Sequence, residues 1–280
     1  MASQQFGYIG LGAMGKNMAS HIAKKVASLN HPPLMVYNRT QARAEEFAKT
    51  QPAKVAASLE DIAKSCSVIF SCLLNDGALY ETISSLKPHL KRDTVIVESS
   101  TVSPALAKDL TDQMKQIGVV YLACPVMGPP VKAASGDLTV LMAGGKKVIE
   151  LGYEDVRESL RLKLCGNFLV TSVVEMIAEG MTLGEASGVG QDKVKELIDC
   201  VFPNSLLSVY SERMLKNTYR DQVAFAISGA KKDAGHIMHM AQEVNAKLPI
   251  TEIFLEHANQ TQSEQGDIDM SGIVGIYTLH

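Results

Sequence analysis

The chain has 280 residues, which corresponds to roughly two domains of ordinary size. Hydrophobic residues make up 46% and charged residues 20%, a composition that excludes disordered and collagen-like chains. The 27 Lys and Arg against 30 Asp and Glu give a net charge of −3, and aromatic residues are only 5%, with no Trp. Neither a basic surface nor a set of base-stacking rings is expected, which argues against nucleic acid as a partner.

The five cysteines form no C-x-x-C pair, and those in apolar runs are expected to be buried, reduced thiols. No secretory signal is predicted at the start of the sequence, and no uninterrupted apolar run reaches the length of a membrane span. We therefore expect a cytoplasmic protein that has no membrane partner.

The first half alternates short β-rich runs with helical patterns. Strands are predicted at 6–9, 34–37, 68–73, 94–97, 119–123 and 138–143. Helices are predicted at 16–29 and 41–49, from Ser58 onward, and from Ser103-Pro104 to Gly118. This alternation is typical of a doubly wound, Rossmann-type α/β fold, in which helices cover both faces of a parallel sheet.

After about Glu154 the strand patterns nearly disappear. One long helix is predicted over 155–187, ending at Gly188-Val189-Gly190. Three or four further helices follow, separated at Pro203, Asn217, Gly229 and Pro249. The sequence thus predicts a dinucleotide-binding domain at 1–153, and an interdomain helix with an all-helical domain at 154–280.

A glycine-rich segment follows the first predicted strand. Gly10-Leu11-Gly12-Ala13-Met14-Gly15 fits G-x-G-x-x-G, and an amphipathic helix comes after it. The first glycine permits a tight turn, the second lets a pyrophosphate approach the backbone, and the third lets helix and strand pack closely. The N–H groups at the helix start would bind the diphosphate. The alternative is a turn-rich start to a different α/β fold, which the strand and helix on either side disfavour.

The end of the second strand distinguishes NADP from NAD. An NAD site carries Asp or Glu there to accept from the ribose 2′-hydroxyl, whereas this chain has Asn38-Arg39-Thr40. A guanidinium can hold a 2′-phosphate through two parallel hydrogen bonds, and the side chains on either side can donate to it as well. We therefore predict NADP as the cofactor. The alternative is a solvated Arg in a surface loop.

Further motifs follow in order along nearly the whole chain. They are the glycine segment 10–20, Cys72-Leu73-Leu74-Asn75, the segment 98–104, Pro125-Val126-Met127-Gly128, Lys163-Leu164-Cys165-Gly166-Asn167 and Lys232-Asp233. Together, over about residues 8–269, they resemble the β-hydroxyacid dehydrogenase family, which includes 3-hydroxyisobutyrate dehydrogenase and relatives of 6-phosphogluconate dehydrogenase. Each motif is weak alone, and their shared order makes the resemblance specific.

The resemblance implies an oxidoreductase that transfers a hydride between the nicotinamide and a small hydroxy acid or aldehyde. It assigns Lys163 and Asn167 to catalysis. It places at the cofactor Gly10, Leu11, Gly12, Ala13, Met14, Gly15, Asn38, Arg39, Thr40, Leu73, Leu74, Asn75, Thr101 and Lys232. It places at the substrate Ser100, Met127, Gly128, Lys163, Asn167 and Asp233.

The chemistry of Lys163 and Asn167 can also be argued from their spacing. Residues four apart share one face of a helix, and this pair lies near the start of the long helix, where a cleft between domains is expected. A Lys ammonium can donate a proton to a carbonyl oxygen, and a neutral Lys can remove one if burial lowers its pKa. Asn167 would hold the substrate oxygen or the Lys in line. Spacing alone fits an exposed Lys beside a helix-facing Asn at least as well.

Three departures from the family pattern bear on the substrate. Met127 stands where the family usually has Ser, and Pro129 and Pro130 stand where it has glycines, so a substrate carboxylate loses hydrogen-bond donors. The stretch 145–163 is shorter than in the family, which has a helix and a strand there, and only 148–151 is a strand candidate. The segment 154–161 is charged, where the family is rich in glycine. A bulkier or less polar substrate than a small 3-hydroxy acid is therefore plausible.

Two alternative functions stay open. One is a catalytically silent binding module that holds NADP. The departure of the Met127 loop from the family pattern is consistent with it. The other is an imine reductase, which shares this architecture but which the retained Lys163 and Asn167 disfavour. His236 and His239 lie on one helical face without a third ligand at suitable spacing, so no metal site is predicted.

The helical half has many apolar residues for a short set of helices. They are Phe202, Leu206, Leu207, Val209, Phe225, Ile227, Ile237, Met238, Met240, Ile253, Phe254 and Leu255. Gly180 and Gly184, four apart on the long helix, would let a second helix approach closely. We therefore predict a homodimer. The alternative is that these residues form the domain's own core.

Overall fold

The computed structural model describes residues 4–143 and 155–277. The chain divides into two compact units, residues 1–163 and 164–280. The predicted boundary, after residue 153, falls outside the described residues, and the division comes later because the first turns of the long helix pack on the sheet. Val156 and Leu160 share one apolar core with Ile9 and Ile96.

The first unit is built on a six-stranded parallel sheet with the order β3-β2-β1-β4-β5-β6. The strands are β1 (Phe6–Ile9), β2 (Leu34–Tyr37), β3 (Ala53–Val55), β4 (Val68–Ser71), β5 (Val95–Glu98) and β6 (Val120–Ala123). The helices between them are α1 (Gly15–Ser28), α2 (Gln41–Thr50), α3 (Leu59–Ser65), α4 (Asp76–Leu86) and α5 (Pro104–Gln116). The predicted Rossmann-type α/β fold is confirmed. Successive strands are added on one side of β1 up to β3 and on its other side from β4 onward, so the strand order reverses between β1 and β4.

Local sequence signals set the ends of these helices. The Ser58 and Ser103 hydroxyls each accept a hydrogen bond from a backbone N–H in the first turn of α3 and α5. Pro104 occupies the first position of α5, where its missing N–H costs nothing. Gly118, with a φ of 75°, follows the end of α5 in the left-handed conformation that glycine favours.

The end of the first unit differs from the prediction. The predicted strand 138–143 does not extend the parallel sheet as a strand, and only its last residue, Ala143, forms an antiparallel bridge to Ala123 of β6. Instead, Gly128 turns the chain with a φ of 136°, and β7 (Val126–Met127) pairs antiparallel with β8 (Thr139–Val140) as a separate ribbon. The strand candidate 148–151 lies outside the described residues. The short helix α6 (Pro130–Ser135), which the sequence reasoning missed, lies between β7 and β8.

The long helix α7 (Val156–Ala186) is confirmed over 31 residues and ends before Gly188, whose φ is 80°. By length and composition α7 is also long and apolar enough to cross a membrane. The core helix of a soluble protein has the same properties, and Val174, Ile177 and Met181 of α7 lie in the apolar core of the second unit. The face of α7 that they form therefore packs within the protein.

The second unit is all-helical, as predicted. Four helices follow α7: α8 (Gln191–Val201), α9 (Leu206–Leu215), α10 (Ile227–Glu243) and α11 (Pro249–Gln265). A 3-10 segment, Met270–Tyr277, comes after them. One predicted break is wrong: Gly229 lies inside α10 and does not separate two helices. A Cβ at this position would lie only 3.0 Å from the Phe225 ring, so the absence of a side chain leaves room for that ring.

Candidate cofactor and active site

The glycine segment forms a tight loop between β1 and α1. Gly10 has a φ of 97°, and a Cβ on it would lie 2.3 Å from the Cys72 carbonyl oxygen. A Cβ on Gly15 would lie 2.0 Å from the Gly10 carbonyl oxygen. By contrast, beyond Gly12 and its two chain neighbours, no described atom lies within 4 Å of the Cβ position of Gly12. Gly10 thus permits the turn and Gly15 permits the close packing of α1. Gly12 leaves open space beside the helix N-terminus, as a pyrophosphate requires.

This geometry predicts opposite effects for two substitutions in the loop. Gly12→Ala should leave the free energy of unfolding within about 0.5 kcal/mol of wild type, because its methyl group meets nothing in the protein. The same methyl would hold a pyrophosphate away from the backbone, so affinity for NADPH and NADH alike should fall by about tenfold. Gly15→Ala should destabilise the fold by about 1–3 kcal/mol through overpacking. Urea unfolding and cofactor titration measure both effects, and normal affinity in Gly12→Ala would contradict this role of the loop.

The Asn38 side chain joins the glycine loop to the end of β2. Its Oδ1 accepts from the Leu11 N–H at 2.9 Å, and its Nδ2 donates to the Thr40 carbonyl oxygen at 3.0 Å. Nδ2 carries a second hydrogen beyond the one donated to Thr40, so donation from Asn38 to a 2′-phosphate stays a prediction, as it does for Arg39 and Thr40.

A cavity opens beside Arg39 at the carboxyl ends of β2 and β3. The residues that line it are Tyr37, Asn38, Arg39, Gln41, Ala44, Val55, Ala56 and Ala57. None of these described lining residues is acidic, and Arg39 supplies the positive charge. The lining suits a ribose that carries an anionic group at its 2′-position.

The loops that follow β4 and β5 are hydrogen-bonded to each other. The Leu73 N–H donates to Ser100 Oγ at 2.6 Å, so Ser100 connects the two strand ends. Asn75 accepts from the Ala78 N–H at 2.9 Å and caps α4. The predicted contacts Leu73, Leu74, Asn75, Ser100 and Thr101 therefore lie together on two neighbouring loops, at the same sheet edge as the glycine loop. Sequence reasoning missed Glu98, a buried carboxyl that accepts from the Ser100 N–H at 2.5 Å.

The structure brings the predicted residues Met127 and Lys163 together. Lys163 is only 7% exposed, and its Nζ lies 3.1 Å from Met127 Sδ. A thioether sulfur is a weak hydrogen-bond acceptor. The neighbouring Gly128 suits the turn, since its φ of 136° is a conformation that residues with a side chain rarely adopt.

In the second unit, Asn167, Lys232 and Asp233 form one polar cluster. Asn167 Nδ2 donates to Asp233 Oδ2 at 2.5 Å, and Lys232 Nζ lies 3.0 Å from Asp233 Oδ1. Both Asn167 and Asp233 are buried. Asp233 thus fixes the orientation of the Asn167 amide, four residues beyond Lys163 on α7. No group of three His, Cys, Asp or Glu suited to a metal occurs in the described part of the chain.

Family models match both halves of the chain. Residues 5–160 match the NAD binding domain of 6-phosphogluconate dehydrogenase. Residues 160–277 match the model described as NAD-binding of NADP-dependent 3-hydroxyisobutyrate dehydrogenase. The two models together span nearly all of the described residues.

Curated relatives match along most of the chain. The NADH-dependent oxidoreductase ucdB of Aspergillus ustus is 31% identical over 253 residues, which cover 87% of this chain and 89% of that protein. The mitochondrial 3-hydroxyisobutyrate dehydrogenase of Rattus norvegicus is 28% identical, covering 69% of this chain and 61% of that protein. The cytokine-like nuclear factor N-PAC of Xenopus tropicalis is 24% identical, covering 98% of this chain and 53% of that protein.

Solved structures share the fold at low sequence identity. The 3-hydroxyisobutyrate dehydrogenase of Salmonella typhimurium superimposes with a TM-score of 0.83 at 19% identity, covering 98% of this chain and 100% of that one. Psf3 in complex with NADP+ and 2-OPP gives a TM-score of 0.81 at 18% identity, with coverage of 98% and 100%. A reductive aminase of Aspergillus terreus in complex with NADPH gives 0.59 at 16% identity, with coverage of 99% and 100%.

The family models and ucdB agree with the order of motifs along the sequence and with the fold. Glycine loop, parallel sheet and helical second half are all present in the arrangement that the resemblance implies. The chain is a member of the β-hydroxyacid dehydrogenase family, and thus an NAD(P)-dependent oxidoreductase.

Proposed function

We propose that the protein transfers a hydride between NADP(H) and a small hydroxy compound or carbonyl compound, with Lys163 as the general acid and base. The observation that carries the proposal is the buried amine of Lys163 beside the loop at Met127. An amine at such a position can exchange a proton with a substrate oxygen. The cluster of Asn167 and Asp233 supports it by fixing a second polar group on the same helix.

The residues of this chain have separable roles in the proposed reaction. A nicotinamide held by these residues would supply or accept the hydride. In the direction of reduction, Lys163 Nζ donates a proton to the carbonyl oxygen, and in oxidation it accepts the hydroxyl proton. Asn167, held by Asp233, orients the substrate oxygen or the Lys. The glycine loop binds the pyrophosphate through backbone N–H groups, and Arg39 binds the 2′-phosphate.

The preference for NADP is supported by the loop after β2. Arg39 lines the cavity there, and the described lining residues include no acid that would accept from a ribose 2′-hydroxyl. The name of ucdB describes an NADH-dependent enzyme. The relatives therefore do not decide between NADP and NAD for this chain. The proposal rests on the residues of its own loop, and the affinities for the two cofactors must be compared directly.

The substrate proposal follows from the loop after β7. Pro129 and Pro130 carry no N–H, and Met127 places a thioether on the Lys163 side of the loop. An anionic group on the substrate would find few donors on this loop. We propose a carbonyl substrate that has no carboxylate beside the reacting carbon.

Met127→Ser is expected to move selectivity toward substrates with a carboxylate. A hydroxyl would add one hydrogen-bond donor next to Lys163, and a hydrogen bond to a charged group corresponds to about a tenfold change in kcat/KM. The measurement compares kcat/KM for a keto acid and for its methyl ester in wild type and variant. Met127→Leu, which keeps the apolar surface, serves as the matched control. An unchanged ratio of the two substrates in Met127→Ser would reject this role for Met127.

A second candidate function is a cofactor-binding module without catalysis. It is favoured by the similarity to N-PAC, whose name describes a nuclear factor and no enzyme. The discriminating experiment follows NADPH consumption with a panel of aldehydes, 2- and 3-keto acids, semialdehydes and cyclic imines. Turnover of a carbonyl compound supports the proposed function, and turnover of imines alone supports an imine reductase. Tight NADPH binding with no turnover across the panel supports the binding module.

The proposed homodimer is supported by a stripe of exposed apolar side chains on α7. Leu169, Met176 and Leu183 are spaced seven residues apart and are 62%, 53% and 69% exposed. A stripe with this spacing suits pairing with another helix. The role predicted for Gly184 needs correction: a Cβ there would lie 2.3 Å from Val194 Cγ2, so this glycine accommodates α8 of the same chain. Many of the predicted interface residues, such as Phe254, lie in the unit's own core.

Light scattering is expected to give twice the monomer mass of 30.2 kDa at micromolar concentration. Met176→Glu places a charge in the middle of the stripe and should shift the protein toward monomer, because the charge would have to be buried at the interface. Gln242→Glu, an exposed change on α10, is the matched control and should stay dimeric. A wild type that is monomeric at this concentration contradicts the dimer.

A further inference from the structure

The order of strands divides the cofactor site into two ends. In a doubly wound sheet the dinucleotide lies across the carboxyl ends of the strands, where the strand order reverses. Here that point lies between β1 and β4, and the cavity at Arg39 lies on the β2 side. The nicotinamide end of the cofactor therefore belongs to the loops after β4 and β5. This placement rests on the proposed function, because it assumes that a dinucleotide binds.

A buried carboxyl holds these two loops together. Glu98, the last residue of β5, is 2% exposed. Its Oε2 accepts from the Ser71 hydroxyl of β4, and its Oε1 accepts from the Ser100 N–H at 2.5 Å. The Ser100 hydroxyl also hydrogen-bonds to this carboxyl, while its oxygen accepts from the Leu73 N–H at 2.6 Å. A continuous chain of hydrogen bonds thus runs from Glu98 through Ser100 to the backbone of the β4–α4 loop.

In the part of the chain that the structure describes, the titratable groups around Glu98 provide no counter-charge. Tyr8 on β1, Cys72 after β4, and Tyr121 and Cys124 at β6 interact with this buried region, and none of these four side chains can be cationic. Burial raises the pKa of Glu98 to about 7, although the hydrogen bonds from Ser100 and Ser71 act to lower it. The carboxyl consequently changes its charge near neutral pH.

We propose that the Glu98 carboxylate is a positioning residue for the nicotinamide end of the cofactor, acting through Ser100 and Leu73. The ionised carboxylate accepts from Ser71 and Ser100 through charge-assisted hydrogen bonds, which are roughly twice as strong as neutral ones. Protonation turns them into neutral hydrogen bonds and loosens the link to Leu73. The nicotinamide end is held less firmly below pH 7, whereas the adenosine end at Arg39 is unaffected.

Cofactor affinity and fold stability should depend on pH in opposite directions at this residue. The pKa of Glu98 in the folded protein, about 7, lies above the ordinary value of 4.5. The folded state therefore retains a proton that the unfolded chain releases, and the stability from this group is full below pH 4.5 and is lost as pH rises through 7. Affinity at the nicotinamide end should instead rise as pH passes 7. A carboxyl that only stabilised the fold would not improve binding where it weakens stability.

The binding test compares NADPH with 2′-phospho-ADP-ribose, a fragment that has the same phosphates but no nicotinamide. A phosphate monoester loses its second proton near pH 6. Because both molecules carry the 2′-phosphate, its effect on binding drops out of the ratio of their affinities. In wild type, the ratio of NADPH affinity to fragment affinity should rise by about tenfold between pH 6 and pH 8. In Glu98→Gln the ratio should stay at the wild-type pH 6 value throughout. Glu81→Gln, an exposed change on α4, should behave as wild type.

Ser71 provides a second test that leaves Glu98 in place. Ser71→Ala removes a hydrogen bond that lowers the pKa of Glu98, so the midpoint of the affinity ratio should move to higher pH. Ser71→Thr keeps the hydroxyl and should restore the wild-type midpoint. Thermal unfolding between pH 5 and pH 8 supplies the stability readout, in which the advantage of Glu98→Gln over wild type should grow with pH.

The outcomes separate this inference from the proposed function. If neither NADPH nor the fragment binds to wild type, the proposed cofactor site itself is wrong. If both bind but their affinity ratio does not change with pH, or if Glu98→Gln keeps the wild-type ratio at pH 8, the role of Glu98 is overturned while the site stands.

Discussion

Replacing Lys163 with Ala is expected to lower turnover by about 10²–10⁴-fold, because positioned proton transfer is lost. The side chain is buried and its Nζ lies 3.1 Å from Met127 Sδ, so the variant has no charged group at that point. Affinity for NADPH should stay nearly unchanged, since the glycine loop and Arg39 supply the cofactor contacts that we propose. Steady-state turnover and fluorescence titration with NADPH measure the two quantities separately.

Lys163→Arg sharpens this test. A guanidinium keeps the positive charge but does not lose its proton in proteins, so it cannot accept a proton from a hydroxyl substrate. Oxidation should therefore fall as far as in Lys163→Ala. Arg161→Ala removes a cation two residues earlier on α7 and is the matched control, with turnover near wild type. Near-normal turnover in both Lys163 variants would remove this residue from the mechanism.

Arg39→Ala is expected to weaken NADPH binding by about tenfold to a hundredfold, because hydrogen bonds to a charged group contribute roughly 1.5–3 kcal/mol each and 1.4 kcal/mol is one decade. NADH affinity should change little, because NADH has no 2′-phosphate for the guanidinium. Titration of both cofactors, monitored by fluorescence, gives the two dissociation constants. Arg43→Ala on α2 removes an exposed Arg one turn further on and should leave both constants unchanged.

Asn38→Asp should shift the preference further toward NADH, because a carboxylate repels the phosphate and accepts from a ribose hydroxyl. This variant also replaces the Nδ2 donor to the Thr40 carbonyl with a carboxylate oxygen, so it disturbs the loop itself. Arg39→Ala is therefore the decisive change. A wild type that binds NADH as tightly as NADPH, or an Arg39→Ala that weakens both equally, would refute the proposed cofactor preference.

Much of the fold could be predicted because its signals are local. Ser58 and Ser103 cap helices through hydrogen bonds to N–H groups three residues on, and Gly118 ends α5. The runs 6–9 and 34–37 are continuous apolar segments, as buried parallel strands require. Periodicity over 155–187 was sufficient for α7 because the apolar stripe of that helix continues through many turns.

The elements that were missed or misplaced depend on non-local packing. β3 has three residues with Lys54 at its centre, too short and too polar for a strand pattern. The run 138–143 is apolar enough for the main sheet, yet Thr139 and Val140 pair with the two-residue strand at Met127, and only Ala143 bridges to β6. Gly229 lies in the first turn of α10, and a Cβ there would lie 3.0 Å from the Phe225 ring. No local pattern specifies which segment packs against which.

The same distinction holds for the candidate site. The glycine segment and Arg39 were predictable, since the neighbouring strands place them at one sheet edge. Met127 and Lys163 are 36 residues apart, so no sequence spacing predicts the contact between them. The partners of Asn38 within the loop, Leu11 and Thr40, become evident only in three dimensions, and its contact with a 2′-phosphate stays a prediction.

The most direct test of the proposed function adds carbonyl compounds from the panel to preformed complexes of the protein with NADPH. Wild type should consume bound NADPH with at least one carbonyl compound, more slowly with NADH in its place, and Lys163→Ala should bind NADPH and leave it reduced. Bound NADPH that persists in wild type with every compound, or equal consumption by Lys163→Ala, would contradict hydride transfer with Lys163 as the proton donor.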